Sequence, residues 1–308
     1  MSDRRESIRG RWLVFGAACL WGTSATLARF VFRDLHVPAL TAVELRLLIA
    51  VAILGPWLVW RRPAALRIDR ADWGYFLGLG LFGVAAVQGT YYYAISTLGV
   101  GLAILIQYIA PALIVAYGAL RGMRVRAATV VALASALLGI ALLVSNVAAT
   151  PGTRVRHSPL DWAVGFGSAV SFAFYVVFSK RGLRRYPPET VLFYTFLIAG
   201  LFWAVVTPPW RIAAAGYGAD LWVMFAALGV FSTLVPFFLF NSGLKRLSAA
   251  EAGIIASLEP VVAVLSAAVF LGEGLRAFQW VGAVLVLIAA SLASIQAPET
   301  VPAQPERG

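Results

Sequence analysis

Charge is scarce in this sequence. Asp, Glu, Lys and Arg make up only 13% of the 308 residues, about half the share of an ordinary soluble domain. Hydrophobic residues make up 61% and mean hydropathy is +0.84, which excludes a water-soluble globular domain. Cys19 is the single cysteine, so there is no disulfide framework. The two histidines, His36 and His157, fall in connecting segments. No His-x-x-x-His or Asp-rich run occurs, so neither a metal site nor an intramembrane enzyme with nucleophile and base at depth is expected. No Walker loop is present, so ATP is not expected as an energy source. No cofactor is expected.

What is present is a succession of apolar runs. A membrane helix needs about 20 mostly apolar residues to cross about 30 Å of hydrocarbon. Ten such runs can be drawn, at 12–31, 39–60, 73–95, 100–120, 127–147, 160–179, 190–207, 219–241, 249–271 and 277–296. The basic residues between them orient the chain. Of the 25 Lys and Arg, 18 fall on one side and 5 on the other, with Arg29 and Arg46 inside spans. The expectation is a multi-pass protein of the cytoplasmic membrane with both termini, 1–11 and 297–308, in the cytoplasm. The run from Trp12 reads as a first span rather than a cleaved signal. The net charge of +11 is then a matter of topology, and the expected partners are the lipid bilayer and a small molecule, not nucleic acid. Monomer and homodimer both stay open. Short connections suit an all-α bundle with antiparallel neighbours.

The chain also repeats. At an offset of 149, Pro111 falls on Pro260, Leu98 on Leu247, Ala103 on Ala252, Val115 on Val264 and Ala119 on Ala268. The span order then divides into two fives, at 12–147 and 160–296. Five is odd, so the second half enters the membrane from the opposite side. Inverted repeats of this kind are common in secondary transporters, whose sites lie at the midplane between halves.

Glu259 stands near the middle of the ninth run, followed by Pro260. A buried acid of this kind must face protein or water. One reading makes Glu259 a carrier of a proton or a binder of a substrate amine; the other makes it a structural acid hydrogen-bonding around the helix break. Ala110 holds the matching place before Pro111, so an acid-based role is one-sided. Pro111 and Pro260 read either as hinges for gating or as tolerated kinks. Glu44 and Arg46 lie two apart on one span, with Arg29 as a partner for Glu44 and an outer-gate role for Arg46, or contact with a substrate carboxylate. Glu251 and Glu273 read as span-end residues. Trp57, Trp60, Trp73 and Trp210 read as interface anchors. The glycines of Gly74–Gly83 read as helix contacts at four-residue spacing.

LEPVVAVLSAAVFLGE (258–273) followed by FQWVGAVLVLIAAS resembles the closing segment of EamA-domain proteins of the drug/metabolite transporter superfamily. CLWGTSATLAR (19–29) and LTAVELRLLIA (40–50) are similar to their first two helices, and GLAILIQYIAPALIVAYGAL (101–120) to the first-repeat counterpart of the Glu-Pro helix. The resemblance covers about 12–296. It implies ten transmembrane helices in two inverted five-helix repeats, a central cavity, and export or uptake of small metabolites. The expected function is a secondary transporter, exporting amino acids or related metabolites with protons as the favoured drive; an importer is the alternative, and a channel or enzyme the weaker rivals. The residues expected to bind substrate are Trp21, Gln88, Tyr91, Gln107, Tyr108, Tyr175, Asn241 and Ser257, polar or aromatic groups within apolar spans. Thr23, Ser24, Tyr92 and Phe174 stand in the same cluster. Glu259, Pro260, Pro111 and Arg46 are expected to couple or gate.

Overall fold

The computed structural model describes residues 2–33, 37–145, 158–271 and 275–295. His36, His157 and Glu273 lie outside the described residues, as does the side chain of Arg29, and with it the Arg29–Glu44 pairing. No strand occurs among the described residues. Hydrocarbon offers no partner for a peptide group, so a spanning segment must satisfy its own backbone as a helix.

The helical runs, in order, are α1 (Ser2–Arg33), α2 (Ala39–Arg61), α3 (73–98), α4 (Val100–Leu120), α5 (Ala127–Val144), α6 (Pro159–Gly182), α7 (Pro188–Val206), α8 (Ala219–Leu244), α9 (249–271) and α10 (Ala277–Ile295). Among the described residues, eight of these are long and apolar enough to cross a membrane by length and composition, against the ten expected. The other two are α1, which begins among Arg4, Arg5, Arg9 and Arg11, and α3, diluted by Gly, Tyr, Gln and Thr. The protein is an all-helical, multi-pass membrane protein.

Helix α1 starts ten residues before the expected span. Its first turns are held by the far half of the chain. Arg246 Nε donates to Glu6 at 2.7 Å and Arg11 Nε to Glu251 at 2.7 Å. Residues 2–11 are thus helical rather than a loose tail.

Two irregularities recur at the repeat offset. Helices α3 and α8 each contain a π-helical stretch, Leu79–Ala85 and Leu228–Leu234. Helices α4 and α9 are each interrupted, at residues 108–109 and 257–258. Pro111 and Pro260 are the second residues of the segments that follow. Proline lacks an N–H and fits a first turn, where that donor has no helical acceptor. The prolines therefore open new helical segments rather than kink continuous ones.

Packing also pairs off. Helices α3 and α4 pack on α6, as α8 and α9 pack on α1; the π-helical stretch of α3 packs on α7, as that of α8 packs on α2. A Cβ on Gly80 would lie 2.6 Å from Ile198 Cγ2, and one on Gly229 would lie 2.6 Å from Ile49 Cγ2. Both partners of one contact are 149 residues from those of the other. Gly74 and Gly78 instead face open space. The π-helical stretch rotates the face of α3, so the contacts fall to Gly80 and Gly83.

Candidate functional site

The interruptions and π-helical stretches surround one cavity of about 120 Å³, several times the space a single water needs. Trp21 enters from α1 and Arg46 from α2. Helix α3 contributes Gly83, Val84, Val87, Gln88, Tyr91 and Tyr92; α4 contributes Gln107 and Tyr108. Phe172 and Tyr175 come from α6, Ser232 and Phe237 from α8, and Glu259 from α9. Aromatic side chains are the largest group in the walls, with a few polar groups among them, as expected of a small-molecule pocket.

Glu259 is the first residue of the second segment of α9, where free backbone N–H groups favour negative charge. The Tyr108 hydroxyl, at the interruption of α4, donates to Glu259 Oε2 at 2.7 Å. An acid–phenol contact thus joins the two broken helices. Gly22 lets α1 press against the same place: a Cβ there would lie 2.7 Å from the Glu259 carbonyl oxygen. No sequence motif singled out Gly22, because close approach is visible only once α1 and α9 are side by side.

Arg46 is buried. Its Nη2 donates to Gln88 Oε1 at 3.2 Å and its Nη1 to Ser232 Oγ at 3.4 Å. It bridges α3 and α8 from α2, and its guanidinium lies 5.9 Å from the Tyr92 ring centre. Arg46 Nε and Gln107 Oε1 are buried without a hydrogen-bond partner among the described residues. Trp21 meets Phe237 edge-on at 5.0 Å.

Trp21, Gln88, Tyr91, Gln107, Tyr108, Tyr175, Glu259 and Arg46 therefore share one cavity. Asn241 and Ser257 do not line it. Asn241 is fully buried behind Tyr175, donating to its hydroxyl at 2.7 Å and to the Phe237 carbonyl at 2.9 Å. Ser257 lies in the interruption of α9 and turns back to the Gly253 carbonyl at 3.3 Å. Pro111 and Pro260 are buried and do not line the cavity either. Phe174 stacks on Phe178 at 4.2 Å and is not a lining residue. Glu251 is a buried partner of Arg11, beyond its expected place in a first turn capped by Ser248. Sequence reasoning missed Phe172, Ser232 and Phe237. The repeat carried a signal for one of them, since Phe237 matches Gln88 at the offset of 149.

A bundle of membrane-length apolar helices that encloses one largely apolar, aromatic-rich cavity defines a polytopic membrane protein with an internal site. The chain belongs to the EamA-like transporter family, whose profile matches residues 8–145 and 162–295. It is a membrane transporter of this type. An uncharacterized transporter of Archaeoglobus fulgidus is 31% identical over 273 residues, 88% of this chain and 91% of that one. The threonine/homoserine exporter RhtA of Escherichia coli K12 is 28% identical over 278 residues, covering 88% of this chain and 85% of RhtA. A solved crystal structure shares the fold with a TM-score of 0.75 at 23% identity, over 93% of this chain and 96% of that one.

Proposed function

We propose that the protein exports amino acids or closely related small metabolites across the cytoplasmic membrane by alternating access, with a proton as the coupling ion. The observation that carries the reading is the pairing of opposite charges in one cavity. Arg46 offers a guanidinium with an unpartnered Nε, suited to a carboxylate. Glu259, backed by Tyr108, offers an anion to an ammonium group or holds a proton. A zwitterion satisfies both poles, whereas a phosphorylated solute needs several fixed cations. The threonine/homoserine exporter among the relatives supports this solute class. The paired contacts at the 149 offset support two inverted repeats, and the basic residues support cytoplasmic termini.

Counterflow in liposomes tests the proposal. Purified protein should exchange labelled threonine or homoserine saturably, and Arg46→Met should lower exchange about tenfold, the weight of one hydrogen bond to a charged group. Glu259→Gln should abolish pH-gradient-driven flux. No exchange of any zwitterionic amino acid, or full exchange by Arg46→Met, would overturn this assignment of substrate and anchor.

A further inference from the structure

Two bundles face each other across the cavity, one of α3, α4 and α6 and the other of α8, α9 and α1. At the repeat offset α6 answers to α1, α8 to α3 and α9 to α4. A strict two-fold relation would make α6 meet α8 and α9 just as α1 meets α3 and α4. Of these two seams the structure describes that of α6 against α8 and the first segment of α9; its counterpart would use residues 26–33 of α1, most of whose side chains lie outside the described residues.

The closed seam is held by specific bonds. Below the cavity, Asn241 Nδ2 of α8 donates to the Tyr175 hydroxyl of α6 at 2.7 Å. Both side chains are buried, so the bond is shielded from competing water. About 1.4 turns further along α6, Lys180 Nζ donates to the carbonyls of Leu244 at 2.7 Å and Lys245 at 3.0 Å. These carbonyls end α8 and lack helical partners, and the helix dipole favours a cation there. Ser179, between the two bonds, is fully buried.

We infer that Tyr175, Asn241 and Lys180 form the gate that seals the cavity from the arginine-rich end of the bundle, and that this structure is the state with that gate shut. The inference rests on the transporter reading above, under which that end is cytoplasmic. Opening the gate breaks three hydrogen bonds and parts α6 from α8. The gate residues are one-sided, since Thr26 and Tyr92 stand where the offset would place counterparts of Tyr175 and Asn241.

Accessibility of a cavity cysteine tests the gate without a substrate. Val87 lines the cavity, and Cys19 can be replaced by serine to leave Val87→Cys as the one thiol. A charged, membrane-impermeant maleimide should label Val87→Cys from the non-cytoplasmic face in right-side-out vesicles, and at least about fivefold more slowly from the cytoplasmic face in inside-out vesicles. Adding Lys180→Met, which keeps most of the alkyl stem, or Asn241→Leu should raise the cytoplasmic rate several-fold. Equal labelling from both faces with the gate intact would overturn the proposal, and so would an unchanged cytoplasmic rate in folded gate variants. Sidedness in the intact protein stands as a test even if a gate variant fails to fold. If labelling follows the gate while counterflow fails, the transport reading falls alone; counterflow with labelling equal from both faces sinks only the gate.

Discussion

The hydroxyl of Tyr108 is the smallest feature with a measurable consequence. It is the hydrogen-bond donor that Glu259 has from a facing helix, and hydrogen bonds to charged groups are worth about 1.5–3 kcal/mol. Tyr108→Phe keeps the ring and removes the donor, so counterflow should fall about tenfold while the protein still elutes as a folded species in detergent. Unaltered exchange kinetics would make the contact incidental. Arg11 and Glu251 are a different case, lying away from the cavity. Glu251 is buried while Arg11 is about a quarter exposed, so water screens part of the attraction. Removing one partner leaves the other short of a bond. Arg11→Leu should therefore cost about 1–2 kcal/mol in detergent stability, and Arg11→Leu with Glu251→Gln should recover part of it, as read from apparent melting temperatures. Additive losses in the double variant would show that the two side chains do not interact.

Among elements, the π-helical stretches are the informative ones. Each turns a glycine toward an isoleucine of the opposite half, Gly80 toward Ile198 and Gly229 toward Ile49. Neither site has room for a Cβ, and overpacking commonly costs about 1–3 kcal/mol. Gly80→Ala and Gly229→Ala should each lower the melting temperature, with Ile198→Ala and Ile49→Ala, which remove the crowding Cγ2, recovering part of the loss at their own partners and not each other's. Cross-rescue, or no loss from either alanine, would contradict the matched contacts. The element scale also shows what the residue pattern concealed. Four-residue glycine spacing in Gly74–Gly83 suggested one continuous contact face, but a π-helical stretch turns that face, and Gly74 and Gly78 end up opposite nothing. Hydropathy placed the spans within a few residues, except at α1, where Glu6–Arg246 and Arg11–Glu251 extend the helix by contacts no local pattern encodes.

For the whole molecule, the bias of basic residues predicts orientation. Green fluorescent protein fused after Gly308 should fluoresce in a bacterial host, and alkaline phosphatase fused at the same point should stay inactive. Active phosphatase there would reverse the assigned sides and move the inferred gate to the outer face. The same scale explains why α5 and α10 carry no cavity residue: they pair with each other at the periphery, while the two bundles that enclose the site lie between them and the α2–α7 pair.

By itself the chain of residues determined that the protein is a helical membrane bundle, and it marked Glu259, Tyr108, Gln88, Trp21 and Arg46 as polar or aromatic groups within apolar runs, which the cavity brings together. Those properties follow from transfer free energies summed over neighbouring residues, and such sums are local. Tertiary structure alone decided that Asn241 and Ser257 turn away from the cavity, that Phe172, Ser232 and Phe237 turn into it, and that Lys180 reaches the end of α8. Each depends on the rotation of one helix against another far away in the chain, and the π-helical stretches and interruptions shift that rotation without changing hydropathy.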